Sequence, residues 1–401
     1  MSSSETQFRI SRTIESELEA IRAAGLWRRC VARDSPPGAR VTIEGREYLH
    51  LCSNNYLDLA HHPEAIEAAR RAAVEWGVGA GASPLVTGAT REAREFEVEL
   101  AEFKRAEAAL IFSSGYMANL GALTSLAGRG DWLICDRLNH ASLIDAARLS
   151  RAEIHAYPHN DAGAVAESLA RAPASARKLI VTDGVFSMDG DLAPLADLQR
   201  LALEFDAWLV VDDAHGTGVV GPEGRGACAS AGLTPERLIQ IVTFSKALGS
   251  QGGAVVGPRA VVDLLVNRAR ALIFETALAP PSLAAARAAL RVIIADAARR
   301  DRLKANVDFM RRGLSDIGFE LPAGHATPIF PIVIGENDAA MRASEALKGK
   351  GYWVTAIRPP SVPAGTARLR ATVMSSHEPA DLQSFLDALA SVAPHASNSP
   401  T

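Results

Sequence analysis

Between about residue 60 and residue 280, short apolar runs alternate with stretches of helical spacing. The runs are Ala109–Phe112, Trp132–Cys135, Lys178–Thr182, Trp208–Asp212, Ile239–Thr243 and Ala254–Val256. Most are apolar at consecutive positions, so both faces are meant for burial, as in a sheet covered by helices on either side. Intervening stretches such as Leu192–Phe205 carry helical spacing. This alternation predicts an α/β domain with a largely parallel sheet. Ahead of it, Ile14, Leu18 and Ile21 fall at helical spacing, Pro36-Pro37-Gly38 makes a turn, and Val41–Gly45 alternates like a hairpin strand. Behind it comes an Ala/Arg-rich helical stretch from Ser282 to about Asp316. Separated strands follow at Ile329–Ile334, Trp353–Ile357 and Arg368–Thr372, then a helix from Pro379 to about Val392. The pattern divides the chain into an N-terminal segment (1–50), a large domain (51–282) and a smaller α+β domain (283–401), whose tail Ala396–Thr401 reads as disordered.

Composition narrows the function classes. The chain has 401 residues, 48% hydrophobic and 22% charged, which suits a globular protein of two or three domains. A net charge of -4, from 42 basic and 46 acidic residues, points to neither nucleic acid nor an anionic membrane. No apolar run approaches the ~18 residues that span a bilayer, and the polar stretch Met1–Ala20 lacks the apolar core of a secretory signal. Cys30, Cys52, Cys135 and Cys228 form no CxxC pair, so the reading is no metal site and a reducing cytoplasm. Cys135, inside an apolar run, is expected to be a small buried hydrophobe.

Ligands of open α/β sheets bind at the carboxyl ends of strands, and several such ends are rich in chemistry. In Phe112-Ser-Ser-Gly115-Tyr116-Met-Ala-Asn119 a strand gives way to a helix through small residues, a setting for an anion. Taken alone, an ordinary strand-to-helix turn explains it more simply. Trp208-Leu-Val-Val-Asp212-Asp213-Ala-His215-Gly-Thr-Gly218 delivers two carboxylates and an imidazole to one strand end. A nucleotide-hydrolysing site would need a GxxxxGK[ST] loop, which is absent; a capping Asp beside a surface His is the plainer alternative. In Thr243-Phe-Ser245-Lys246-Ala-Leu-Gly249, a lysine in apolar company follows a buried strand, whereas Lys104 and Lys178 read as solvated. Desolvation of that kind lowers an amine's pKa and prepares it for Schiff-base chemistry. Asp183-Gly-Val-Phe-Ser187-Met-Asp-Gly190 is a further such end, and His140 in Asp136–Ser142 another, although a lone His140 reads as structural. Pyridoxal phosphate unites them, since it needs a lysine, an acid at its ring nitrogen, a phosphate cradle and a flat partner for its ring.

These residues resemble the α-oxoamine synthases, pyridoxal-phosphate enzymes of fold type I that condense an amino acid with an acyl thioester. The resemblance runs from about Arg28 to Ala390 through Ser53–Leu57, Asp136–Leu143, Gly184–Gly190, Val211–Gly218, Thr243–Gly249 and Phe274–Pro281. It implies a large domain with a mostly parallel seven-stranded sheet and a smaller C-terminal α+β domain. Lys246 would bind the cofactor aldehyde, Asp212 its ring nitrogen and His215 its phenolic oxygen. Ser187 and Thr243 would contact it, with Gly115 and Tyr116 at its phosphate. His140 would stack on the ring and contact substrate, Arg28 and Ser361 match substrate-binding positions, and Arg370, or else its neighbour Arg368, would grip the amino-acid carboxylate. Thr276 matches a residue reaching the phosphate of a neighbouring subunit, which implies a homodimer with shared sites. The stretch Trp353–Arg370 most resembles members that use L-alanine and a pimeloyl thioester, on coenzyme A or on an acyl carrier protein. Members with another amino acid and acyl group, and a fold type I aminotransferase, are the alternatives. Asp58, Pro84 and Glu275 depart from the family pattern.

Overall fold

Each apolar run of the central region becomes a strand, because a residue pair with no polar face can be buried only between two layers of helix. The computed structural model describes residues 3–392, so the tail Ala396–Thr401 lies outside the described residues. Its strands are β1 (Arg40–Ile43), β2 (Arg46–His50), β3 (Ala108–Phe112), β4 (Trp132–Asp136), β5 (Glu153–Tyr157), β6 (Lys178–Asp183), β7 (Trp208–Asp212), β8 (Leu238–Thr243), β9 (Gly253–Gly257), β10 (Ile329–Gly335), β11 (Tyr352–Trp353), β12 (Thr355–Ile357) and β13 (Ala367–Thr372). The seven-stranded sheet has the order β3-β9-β8-β7-β6-β4-β5, with β9 alone running against the rest. One apolar core covers each face: Phe96, Leu198, Phe244 and Leu290 on one, Ala118, Leu123, Leu143 and Val262 on the other.

The six apolar runs account for six of these strands. The seventh, β5, escapes the pattern because it is an edge: Glu153, Ile154 and Ala156 are exposed, and β4 is its only neighbour among the described residues. The helical stretch from Ser282 is two helices, Pro280–Ala295 and Ala297–Asp316. Asp296 interrupts it by leaving helical geometry and accepting the Arg299 N–H at 3.0 Å. The run Trp353–Ile357 likewise splits around buried Val354: β11 joins β2 and β1, while β12 joins β13 and β10. The N-terminal hairpin is thereby sewn to the C-terminal region, and the Thr372 N–H donates to the Leu51 carbonyl at 2.7 Å. Cys135 is buried as expected.

Two further positions differ from expectation. Lys104 is not solvated: its side chain is 0% exposed, and its ammonium donates to Asp213 Oδ2 at 2.5 Å, the Arg225 carbonyl at 2.7 Å and Thr217 Oγ1 at 3.1 Å. Three acceptors match its three N–H donors, which is what makes a buried ammonium tolerable. Lys178 is half-buried. Asp58, the departure in the Ser53–Leu57 region, has φ 54° and so takes a left-handed turn that Asp tolerates better than most side chains.

His159 clamps the loop that carries Ser187. Its Nδ1 lies 3.1 Å from Asp136 Oδ1 at the end of β4, and its Nε2 2.8 Å from Asp191 Oδ2. Burial opposes charging, but the two carboxylates outweigh it and raise the imidazole to about 10. A folded pKa above the unfolded value stabilises fully below about 6.5 and is lost as pH rises through about 10. His159→Gln is therefore expected to melt a few degrees lower than the parent at pH 6, with the gap closing above pH 10. Melting curves in which the gap widens with pH would contradict the assignment.

Candidate active site

The site is built where β4, β6, β7 and β8 end, because a parallel sheet sends all these ends the same way. Lys246 follows β8 by three residues. Phe244, Ala247 and Leu248 around it are buried, which pins the turn, and Lys246 lines a 280 Å³ cavity. Cys52, Asn54, His140, Ser187, His215 and Arg370 also line that cavity. The Lys246 amine has no hydrogen-bond or ion-pair partner among the described residues. Burial pulls it down to about 8, against the opposing pull of Asp212 and Asp183.

Asp212 ends β7 and is itself buried. Its Oδ1 accepts the Ala214 N–H at 3.0 Å and its Oδ2 the Asn119 amide at 2.6 Å. Asp213, next in the chain, faces away and belongs to Lys104. Glycine is required around it, since a Cβ on Gly216 would stand 2.0 Å from Asp213 Oδ1 and one on Gly226 1.7 Å from Oδ2. His215 places Nδ1 2.7 Å from the Tyr56 hydroxyl. Burial, reinforced by Lys246, Arg370 and His140, holds its pKa well below the usual imidazole range, so the ring is neutral. Asp183, at the end of β6, is pushed well above the carboxylate range by burial and by Asp212, and it accepts the His140 backbone N–H at 2.7 Å.

His140 caps the helix Ala141–Ser150, with its ring exposed to the cavity. Its Nδ1 meets Ser142 Oγ at 2.7 Å and accepts the Ser142 N–H at 3.3 Å. Burial, with Lys246 as a like charge, lowers its pKa although Asp212 opposes this. Ser187 gives its carbonyl to Arg370 Nε at 2.6 Å, and Arg370 Nη2 reaches Asn54 Oδ1 at 3.1 Å. Nη1 of Arg370 is left free among the described residues. Arg368, two residues earlier on β13, is bound instead to Asp189 and the Met188 carbonyl.

The helix Gly115–Leu126 starts beside Thr243. Ser114 Oγ accepts the Met117 N–H at 3.1 Å, so the N–H groups of Gly115 and Tyr116 have no intrahelical acceptor and suit an anion. The turn is tight: a Cβ at Gly253 would stand 2.6 Å from the Gly115 nitrogen, which only glycine avoids, and one at Gly115 would crowd Thr243 Oγ1 at 3.1 Å. The Tyr116 ring turns outward to Asp145, leaving its backbone as its contribution. Thr243 Oγ1 and Ser245 Oγ lie 2.9 Å apart beside this turn.

The remaining candidates lie elsewhere. Arg28 and Ser361 are exposed and line an 870 Å³ groove that shares its Thr355 and Ile357 wall with the Lys246 cavity. Thr276 is exposed at a third cavity of 320 Å³, together with Pro84 and Glu275, and does not line the Lys246 cavity. Sequence reasoning gave no role to Asn54, Tyr56, Asn119, Ser142 or Asp183. Asn119 had a usable signal, since four residues after Gly115 is one helical turn, on the face that looks back at the strand ends. The arrangement fits pyridoxal phosphate: an unpartnered amine, a buried carboxylate beyond it, a neutral imidazole beside it and free N–H groups at a helix start.

The chain is similar to known proteins along most of its length. Residues 46–389 match the family "aminotransferase class I and II". The chain is 48% identical over 374 residues to an 8-amino-7-oxononanoate synthase of Citrifermentans bemidjiense, covering 93% of this chain and 96% of that protein. It is 50% identical over 375 residues to one of Pelobacter propionicus, with the same coverage. Among solved structures it resembles the serine palmitoyltransferase of Sphingomonas wittichii, with TM-score 0.89, 32% identity, and 95% of this chain and 96% of that one covered. An 8-amino-7-oxononanoate synthase of Francisella tularensis superposes with TM-score 0.75 at 28% identity, covering 86% and 97%. Another serine palmitoyltransferase, solved with pyridoxal phosphate, has TM-score 0.89 at 31% identity, covering 95% and 96%.

Proposed function

From the premise that the chain belongs to the aminotransferase class I and II family, and within it to the α-oxoamine synthases, we propose that it condenses L-alanine with a pimeloyl thioester. The products are 8-amino-7-oxononanoate, carbon dioxide and the free thiol, in a step of biotin formation. The observation that carries this reading is one cavity holding an unpartnered lysine amine and an arginine with a free Nη1, in a chain 48–50% identical to synthases of that name.

Pyridoxal phosphate, when bound, supplies an aldehyde for the amino acid's nitrogen and a cationic ring that accepts the electrons left when the α-proton goes. Lys246 would hold that aldehyde, Asp212 the ring nitrogen, His215 the ring hydroxyl through Nε2, and Gly115, Tyr116, Ser187 and Thr243 the rest. Arg370 binds the alanine carboxylate through Nη1, with Nε and Nη2 already fixed by Ser187 and Asn54. Once displaced, the Lys246 amine takes the α-proton; burial keeps it near the neutral form this needs. Arg28 and Ser361 hold the acyl donor in the adjoining groove, its thiol being coenzyme A or a carrier protein. A second copy of the chain covers the face where the exposed Trp76, Leu85 and Thr276 line one 320 Å³ cavity, making a homodimer with shared sites. No described helix is long and apolar enough to cross a membrane, and the four cysteines are free, which supports a cytoplasmic location.

Purified protein given pyridoxal phosphate, alanine and pimeloyl-CoA is expected to release thiol and carbon dioxide in equal amounts. Thiol release only with serine or glycine would move it to another branch of the family. A keto acid with no thiol would make it an aminotransferase. Arg370→Ala is expected to raise KM for alanine about 10- to 100-fold, the worth of one charged hydrogen bond, with kcat less affected. An unchanged alanine dependence would exclude Arg370 from that role.

A further inference from the structure

The hydrogen bonds around Asn119 determine the state of His140. Asn119 is 1% exposed, and its Nδ2 lies 2.6 Å from Asp212 Oδ2 and 2.8 Å from Ser142 Oγ. A carboxylate oxygen beside the carboxamide requires its NH2 end there, so the amide cannot be turned round. Both hydrogens are then used: one to Asp212, one to Ser142. Ser142 Oγ is thus an acceptor from Asn119, and its own proton is available to His140 Nδ1 at 2.7 Å. The Ser142 backbone N–H, which can only donate, converges on the same ring nitrogen at 3.3 Å. Nδ1 therefore offers a lone pair, and the ring proton sits on Nε2.

We infer that Asn119 and Ser142 are positioning residues that hold His140 as a neutral imidazole with its Nε2–H available to the cavity, and that they tie this ring to the carboxylate of Asp212. The remaining groups facing His140 agree with this. Asp183 takes its backbone N–H rather than its ring, and the Lys246 amine disfavours a second positive charge. A ring fixed in this way donates a hydrogen bond and does not act as a base. In the condensation proposed above, on which only this catalytic use rests, such a donor serves an oxygen on which negative charge develops. Asn119 Oδ1 is buried and has no hydrogen-bond partner among the described residues, so the two donated bonds are what orient the amide there.

The test is histidine-selective 15N NMR of the holoenzyme, with the His140 signal assigned by its loss in His140→Gln. At pH 7.5 the native protein is expected to show a proton on Nε2 and none on Nδ1. A proton on Nδ1, or on both nitrogens, overturns the inference whatever substrate the enzyme uses. Ser142→Ala keeps the backbone N–H at Nδ1 but removes the hydroxyl, so it is expected to raise the share of the Nδ1-protonated tautomer without abolishing the native one, and to lower kcat about 10-fold, below the full range for an acid–base group, with KM for alanine within a fewfold of native. A tautomer population unaltered in Ser142→Ala would leave the ring to the backbone N–H alone and overturn the role given to the Asn119 and Ser142 side chains. Should Ser142→Ala not fold, the native spectrum decides the tautomer by itself. Absence of thiol release with alanine would sink the proposed reaction and leave the tautomer result standing.

Discussion

Lys246→Ala is expected to purify as a folded, inactive protein, with turnover down on the order of 10⁴-fold or more. Two functions end together, because the same amine anchors the cofactor and moves the substrate proton. Folding is expected to survive. The amine makes no hydrogen bond or ion pair among the described residues, and the turn is held by buried Phe244, Ala247 and Leu248. Removing a partly desolvated amine leaves no acceptor stranded. Two measurements decide it: borohydride treatment with pyridoxal phosphate should label the native chain at this residue and leave the variant unlabelled. In the native apo-protein the rate of labelling should rise as pH passes about 8, where the amine loses its proton. Turnover or labelling retained in the variant would refute the assignment of this site.

Asp212→Asn is expected to cost about 10²- to 10³-fold in kcat, the scale for removing one preorganised electrostatic partner, while cofactor stays bound. The carboxylate is an acceptor fixed by the Ala214 N–H and the Asn119 amide. Asn keeps its shape and removes its charge. It also sets two amides face to face at 2.6 Å, so one hydrogen bond is lost unless the new amide presents its oxygen. Loss of charge at the ring nitrogen should weaken removal of the α-proton selectively. The check is exchange of the alanine α-proton with deuterated solvent, without acyl donor: slow in Asp212→Asn, rapid in the native enzyme. Equal exchange rates would show that another group holds the ring nitrogen.

Much of this site is legible along the chain, because parallel strands deliver their chemistry at predictable points. Asp212 ends a buried strand, His215, Lys246 and Ser187 stand three or four residues past one, and Ser114–Tyr116 opens the helix that follows another. Edges and breaks are less legible. The edge strand β5 has a mixed surface, and Asp296 breaks a helix whose spacing runs on across it.

Residue chemistry and periodicity alone determined the α/β class, the strand ends to inspect and the lysine able to form a Schiff base. They could not choose between like residues. Asp212 and Asp213 are equally acidic, but successive residues point to opposite sides, so one meets the site and the other the buried Lys104. Arg368 and Arg370 share one face of β13, and only what lies across from each separates them: Asp189 for the first, an open cavity for the second. The link from Asp212 through Asn119 and Ser142 to His140 joins three distant segments. Such contacts exist only once the chain has folded, because burial and partner geometry, not residue type, decide where a proton or a charge can reside.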